Sequence, residues 1–194
     1  MPPRGFRAGA ICGHRPGKWA TKRRWVDEAF AALERAGYTV GSAYTAVRDP
    51  TDTTFLYRDR LWQGADLAGL GVASFGHVNG VHMQNADVWG PYAEAIENGR
   101  LPLSRAYRPT ADERLIRELV LQLKLGSIRP DYFHEKYGID VRARFSAPVA
   151  SLTRDGYVTE KSSEIVRLSR EGLLRVDSLL PRFFLPAHTD IRYT

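Results

Sequence analysis

Residues 63–85 constrain the fold of this 194-residue chain more than any other stretch. They read QGADLAGLGVASFGHVNGVHMQN, are rich in glycine, and carry no Asp, Glu, Lys or Arg after Asp66. Interior glycines cost backbone entropy and side-chain packing, and they are kept where a backbone must approach something closely, often a ligand. We therefore expect the binding site here, with a tightly packed barrel strand as the alternative.

The bulk composition leaves the class of partner open. The 28 Lys and Arg against 22 Asp and Glu give a formal charge of +6, which suits a polycarboxylate, a phosphate, a nucleic acid or an ordinary basic protein. The single cysteine, Cys12, excludes an internal disulfide and a multi-cysteine metal site within one chain. No apolar run is long enough for a membrane span, and the start lacks the apolar core of a signal peptide, so we expect a cytoplasmic protein.

The first half of the sequence predicts alternating helix and strand. Residues 1–18 read as a flexible coil, and helical spacing of apolar residues then continues to a stop at Gly37. Residues 38–47 are β-branched and aromatic and predict one strand. A helix followed closely by a strand is typical of an α/β layer.

A hairpin is predicted within the glycine-rich stretch. Residues 67–75 read as a short apolar strand, and Asn79-Gly80 between two valines favours a two-residue turn. That turn would place His77 opposite His82, with Cβ atoms roughly 5 Å apart. Residues 85–87 would then cap a helix that runs to about residue 98 and stops at Gly99.

The second half predicts three helices and a β wing. Thr110 and Glu113 form a capping box at the start of a helix over residues 111–125, and helices over 130–137 and 145–152 follow. Strands over 156–160 and 165–168 precede a last helix over 169–180. This order describes a winged-helix module over residues 106–194, with a boundary near residues 101–109.

Several candidate motifs are excluded by their spacing. Gly64, Gly69 and Gly71 lack the third spaced glycine of a dinucleotide fingerprint, and no Gly-Lys-Ser/Thr follows for a phosphate loop. No serine elbow and no carboxylate pair suited to acid–base work is present, so we assign no catalytic residue. The short basic runs at residues 22–24 and 142–144 are typical of solvated faces.

The polar residues of the glycine-rich stretch allow two interpretations each. His77 and His82 could bind a metal or a substrate carboxylate, or they could be a solvated pair on the hairpin. Two histidines without a third ligand make a poor metal site, so we assign none. Gln84 and Asn85 could hydrogen-bond a ligand or serve as turn and cap residues.

Residues 57–85 resemble oxygen-independent coproporphyrinogen III oxidase and related radical SAM proteins. The resemblance lies in Gly-Ala-Asp-Leu-Ala-Gly-Leu-Gly-Val-Ala-Ser-Phe followed by Gln84-Asn85. Four further segments resemble that family in the same order: residues 32–38, 89–99, 114–126 and 167–177. Together they cover about residues 20–185.

The resemblance implies an α/β plus α+β fold. Residues 19–105 would be the late part of a partial (β/α) radical SAM barrel, followed by the helical winged-helix-like domain. The family binds S-adenosylmethionine beside a [4Fe–4S] cluster, and the implied wall of the S-adenosylmethionine pocket comprises Gly69, Gly71, Val72, Ala73 and Phe75. The implied substrate contacts are Tyr57, Arg58, Gln63, His77, His82 and Gln84. Arg58 stands where the family has glutamine, and one residue fewer precedes Gln63.

The family's cluster motif, Cys-x3-Cys-x2-Cys, does not occur in this sequence. We therefore expect this chain alone to bind no cluster and to perform no radical chemistry. The favoured interpretation is part of a radical SAM enzyme that decarboxylates a porphyrinogen oxidatively in heme biosynthesis. The alternatives are a tetrapyrrole- or heme-binding module without radical chemistry, and a winged-helix module that binds nucleic acid or protein.

The expected partners follow from the same resemblance. They are a tetrapyrrole substrate and either a separate N-terminal half or a second copy of the chain, because a partial barrel leaves strand edges and apolar faces exposed. Nucleic acid is not expected.

Overall fold

The computed structural model describes residues 16–51 and 55–189. Cys12 and most of the predicted N-terminal coil lie outside these ranges. The first helix begins inside the predicted coil, at Pro16, and Gly37 (φ +84°) follows its end as predicted. The elements of the first part are α1 (Pro16–Arg35), β1 (Thr39–Ser42), β2 (Thr45–Val47) and α2 (Leu56–Trp62).

The single strand predicted over residues 38–47 is wrong: β1 and β2 form an antiparallel hairpin. Ser42 causes the turn, because its hydroxyl accepts a hydrogen bond from the Tyr44 backbone N–H at 3.1 Å and lies 2.7 Å from the Thr45 hydroxyl. A serine that binds backbone two residues on favours a turn over a continuing strand.

The middle of the chain forms a three-stranded antiparallel sheet. Its elements are β3 (Phe75–Val78), β4 (Val81–Asn85), α3 (Trp89–Glu97) and β5 (Leu103–Tyr107), and the strands lie in the order β3-β4-β5. The predicted hairpin is confirmed, with His77 opposite His82. Asn79 (φ +49°) and Gly80 (φ +72°) supply the two left-handed residues that such a turn requires.

Two predictions around this sheet are wrong. Residues 67–75 do not form one strand: Leu67 forms an isolated bridge with His77, Phe75 begins β3, and residues 68–74 form a loop, here named the glycine loop. The cap of α3 is not built from residues 85–87, because Asn85 belongs to β4 and α3 starts after Val88 without a side-chain cap. The domain boundary near residues 101–109 stays a prediction, and the strand β5 in this region pairs with β4.

The second half follows its predicted order closely. The capping box of Thr110 and Glu113 is present, and Gly126 and Gly138 end their helices with φ of +89° and +68°. The predicted last helix over 169–180 is interrupted at Arg175, whose φ of −111° leaves helical geometry. The elements are α4 (Ala111–Leu123), β6 (Ser127–Ile128), α5 (Pro130–Tyr137), α6 (Val141–Arg144), α7 (Ser146–Arg154), β7 (Val158–Lys161), β8 (Val166–Leu168), α8 (Arg170–Leu174) and α9 (Val176–Leu179).

Burial is divided unequally between the two halves. Strands β6, β8 and β7 form a small antiparallel sheet, and the buried core cluster runs from Leu115 to Phe183 around it. All the exposed large hydrophobic side chains of the described residues precede α4, whereas Phe30 is the one buried large hydrophobic there. Within the same ranges no helix is long and apolar enough to cross a membrane, and the cytoplasmic location stays a prediction.

Candidate functional site

The register of the middle sheet places several of the sequence-predicted site residues on one face. Phe75 pairs with Gln84 and His77 with His82, and β5 adds Arg105 beside Gln84 and Tyr107 beside His82. Directly paired residues, and residues two apart along a strand, share a face of a sheet. We call these six residues the binding face: Phe75, His77, His82, Gln84, Arg105 and Tyr107.

The glycine loop is held against this sheet by the side chain of Asn85. Asn85 is only 7% exposed, and its amide nitrogen donates to the carbonyl oxygens of Gly69 and Gly71, each at 3.0 Å. Gln84 donates to the Ala73 carbonyl oxygen at 3.2 Å. Both amides therefore have a structural role in fixing the loop, and the substrate contact of Gln84 stays a prediction.

His77 and His82 form a close imidazole pair. Their ring centroids are 4.4 Å apart, and their Nδ1 atoms are 3.1 Å apart. His77 is only 6% exposed, so the interpretation as a solvated pair is wrong for this ring. Burial lowers the pKa of both histidines, that of His82 to about 4, so both are neutral at pH 7.

A cavity of about 710 Å³ opens beside His82 and Tyr107, between α4 and the segment that follows α9. Ligand pockets in proteins span roughly 300–1,000 Å³, so this one suits a large organic molecule. Its walls are mostly apolar: Pro109, Ile116, Val120, Leu121, Leu180, Pro181, Phe184 and Leu185.

Charged groups line the same cavity, and most of them are paired. Lys124 contacts Asp177 at 3.0 Å, and His188 contacts Glu113 at 2.7 Å. Hydrogen bonds from Tyr107 and from the Thr110 backbone hold the pKa of Glu113 down at about 2.

Arg117 is the exception within the described ranges. It is half-buried, lines the cavity, and has no hydrogen-bond acceptor or ion pair among those residues. Burial lowers the pKa of Arg117, and the charge of nearby Glu118 offsets this only in part. An acidic group entering the cavity would supply the missing partner.

A second cavity of about 310 Å³ also has Arg117 in its wall. Glu118, only 3% exposed, accepts from Lys136 at 2.8 and 3.0 Å and from Tyr132 at 2.7 Å. These hydrogen bonds connect α4 to α5. The cavity is lined by Gly64, His77, Gly80, Arg114, Arg117, Glu118, Lys136 and Tyr137.

The remaining predicted residues line neither cavity. Phe75 is 64% exposed at the open end of the binding face, and none of Gly69, Gly71, Val72 and Ala73 lines a cavity. Tyr57 is exposed, and Arg58 is held by Asp59 and Thr45. Gln63 contributes only its carbonyl oxygen, which accepts from Lys136 at 2.6 Å.

Several cavity residues were not predicted from the sequence. Arg114, Arg117, Leu121 and Lys124 recur at intervals of three and four, which places them on one side of a helix. The leucines dominate the sequence pattern of this helix, and the basic stripe of Arg114, Arg117 and Lys124 was not predicted as a site. The stripe is the signal that could have indicated the site.

The described residues do not fit an iron–sulfur cluster. Within residues 16–51 and 55–189, no group of three His, Cys, Asp or Glu side chains could hold a metal ion, and a cluster of this type requires cysteine thiolates. We therefore assign no step to a cluster in this chain. For S-adenosylmethionine the glycine loop and Phe75 offer an open surface and not a closed pocket.

The fold is similar to part of a solved radical SAM enzyme. The solved structure it resembles is described as coproporphyrinogen III oxidase (HemN) from Escherichia coli, a radical SAM enzyme. The TM-score is 0.65 with 19% identity, over 81% of this chain and 39% of that one. No protein-family model matches the sequence.

Curated relatives carry the same name. Oxygen-independent coproporphyrinogen III oxidase from Pseudomonas aeruginosa is 25% identical over 114 residues, which are 58% of this chain and 22% of that protein. The Helicobacter pylori J99 protein is 29% identical over 172 residues, 81% of this chain and 37% of the relative. The resemblance inferred from the sequence is thus confirmed: the chain is similar to the C-terminal part of these oxidases, and it spans well under half of their length.

Proposed function

We propose that this chain forms the substrate-facing C-terminal part of a radical SAM protein of tetrapyrrole metabolism, and that the large cavity binds a tetrapyrrole through its carboxylates. One observation carries the proposal. The binding face extends from Phe75, at the open end, to His82 and Tyr107, which line a cavity with apolar walls and the unpaired cation Arg117. An apolar macrocycle with acidic side chains matches both properties.

The same register supports the placement of S-adenosylmethionine. Phe75 and His77 are two residues apart on one face, which in a strand is about 7 Å. A cofactor on Phe75 and the glycine loop would therefore lie beside a substrate that enters the cavity at His82. We keep Gly69, Gly71, Val72, Ala73 and Phe75 as the proposed wall of that cofactor site.

Radical chemistry in this proposal depends on cluster ligands outside the present sequence. The exposed apolar residues of the first half support this view, because a barrel half of this kind needs a covering partner. This chain alone, supplied with S-adenosylmethionine and reductant, is expected to decarboxylate no porphyrinogen.

The helical half supports a packing role. The order α4, β6, α5, α6, α7, β7 and β8 supports the proposed winged-helix-like arrangement. In such an arrangement α7 would be the helix that enters a DNA groove. Arg154 is the one basic residue of α7. A helix so poor in cations is unsuited to phosphate contact, so we propose that this half closes the tetrapyrrole cavity.

A titration of coproporphyrin III, followed through its Soret band, tests the proposed function. We expect saturable binding that is about tenfold weaker for Arg117→Gln, since a charge-assisted hydrogen bond is lost, and unchanged for the exposed control Lys161→Gln. The tetramethyl ester, which lacks the carboxylates, should bind far more weakly. A missing Soret shift at micromolar protein, or an ester that binds equally well, would overturn the proposal.

A further inference from the structure

The second cavity holds a surplus of positive charge. Its lining includes Arg114, Arg117 and Lys136 but a single carboxylate, Glu118. That carboxylate is already engaged, because Lys136 and Tyr132 bind its oxygens. It is therefore not free to pair with either arginine.

Both arginines lack a partner in the described part of the chain. No hydrogen bond or ion pair engages the guanidinium of Arg114 or of Arg117. Arg114 is nonetheless positioned: it packs on the hairpin tip so closely that a Cβ at Gly80 would come within 2.7 Å of its guanidinium nitrogen. The absence of a side chain at Gly80 makes room for this cation at the cavity wall.

His77 adds a neutral hydrogen-bonding group to the same wall. Its Nδ1 is engaged with His82, so Nε2 is the ring nitrogen it has left for a ligand. Two guanidinium forks beside one imidazole N–H form a donor set suited to an oxygen anion, because guanidinium geometry matches carboxylate and phosphate oxygens.

We propose that the second cavity is a binding site for a small oxyanion, a carboxylate or phosphate group held by Arg114, Arg117 and His77. The site is distinct from the tetrapyrrole cavity and does not depend on that proposed function. Arg114 lines only the second cavity and Lys124 only the large one, while Arg117 lines both.

Occupancy of this site fixes the tautomers of the histidine pair. Two neutral rings whose Nδ1 atoms are 3.1 Å apart share one proton, so one Nδ1 donates and the other accepts. If His77 donates from Nε2 to the anion, its Nδ1 must accept from His82. His82 then presents an unprotonated Nε2 to the large cavity, and the anion thereby selects ligands there that donate a hydrogen bond.

Isothermal titration of the full chain with inorganic phosphate, and separately with acetate, at constant ionic strength tests this site. We expect saturable one-site binding of at least one anion, with the tighter of the two identifying the group the site prefers. Arg114→Gln and Arg117→Gln should each weaken it about tenfold. The control Arg142→Gln, an exposed residue of α6, should leave it unchanged.

Three results would overturn the proposal: no saturable heat with either anion, full affinity in Arg114→Gln, or an equal loss in Lys124→Gln. Arg114 is exposed, so its variant is expected to fold, and Arg117→Lys keeps the charge if Arg117→Gln does not fold. The tautomer assignment is read from ¹⁵N shifts of the two imidazoles. Phosphate should move His82 toward the Nδ1-protonated form, and unchanged shifts on saturation would exclude a contact from His77.

Discussion

At the scale of single residues, Asn85 connects the sheet to the glycine loop. Its amide nitrogen reaches the carbonyl oxygens of Gly69 and Gly71, and its own backbone N–H donates to Ser74 at 2.9 Å. A buried amide that satisfies two carbonyl oxygens at once has no simple substitute. The shape of the proposed cofactor wall therefore depends on this one side chain.

Replacement of Asn85 tests this role. Asn85→Ala should lower the free energy of unfolding by about 2 kcal/mol, since two hydrogen bonds are lost in a buried place. Asn85→Asp should lower the free energy of unfolding further at pH 7, because a carboxylate would face two carbonyl oxygens. Denaturant unfolding measures both variants. The matched control is Asn98→Ala, which removes an exposed hydrogen bond from the Asn98 side-chain amide to the Glu94 carbonyl oxygen. Equal losses for Asn85→Ala and Asn98→Ala would contradict the role.

His82 makes stability depend on pH. Its pKa is lowered to about 4 in the folded chain, first by burial and then by the charges of His77 and Arg117. The unfolded chain binds this proton near pH 6.5, so the stabilisation is complete above 6.5 and is lost as the pH falls toward 4. The loss should be on the order of 1 kcal/mol after screening by solvent.

Thermal unfolding across pH checks the assignment to His82. His82→Gln should flatten the melting temperature between pH 6.5 and 4. Glu113→Gln should leave this window unchanged and act below pH 4.5, because the pKa of Glu113 is lowered to about 2 and its stabilisation disappears as the pH falls through that value. An unchanged slope in His82→Gln would show that other groups cause it.

At the scale of elements, the glycine loop packs closely against the strand β3. A Cβ on Gly69 would lie 2.4 Å from the backbone oxygen of Phe75, whereas a Cβ on Gly90 in α3 would meet nothing within 4 Å. Gly69→Ala should therefore destabilise by about 1–3 kcal/mol through a forced backbone shift. Gly90→Ala should be neutral or stabilise by about 0.5 kcal/mol. Comparable unfolding midpoints for the two variants would refute this contact.

Elements defined by neighbouring residues could be predicted from the sequence. The Asn79-Gly80 turn and the Thr110–Glu113 capping box follow from local backbone chemistry, and both are present. The glycine loop could not be predicted, because its shape comes from Asn85, more than ten residues further along the chain. Residues 67–75 are apolar enough for a strand, but the carbonyl oxygens of Gly69 and Gly71 accept hydrogen bonds from the Asn85 side chain and not from the backbone of a neighbouring strand.

The site residues also divide into those that neighbouring residues determine and those that distant contacts determine. His77 and His82 could be paired from the turn alone, and the structure brings them together. Arg117 could not be recognised as an unpaired cation, because this requires knowing which carboxylates the fold brings near it and which partners they already have.

At the scale of the whole molecule, the two halves bury apolar surface very differently. The second half holds the core cluster, while the first exposes Leu70 at 87% and Phe75 at 64%. Such surfaces associate in water. We expect concentration-dependent self-association in sedimentation or light scattering, reduced in Leu70→Ser. A strict monomer at all concentrations would contradict this expectation and would mean that the apolar side chains of the first half are covered within one chain.

The most direct test of the central claim is the footprint of coproporphyrin III on the chain, mapped by amide chemical shifts in ¹H–¹⁵N spectra. We expect the shifts to cluster on α4 from Glu113 to Lys124, on the segment from Leu180 to His188, and on His82 and Tyr107. Shifts confined to α1 or to the small sheet of β6, β7 and β8, with α4 unaffected, would contradict it.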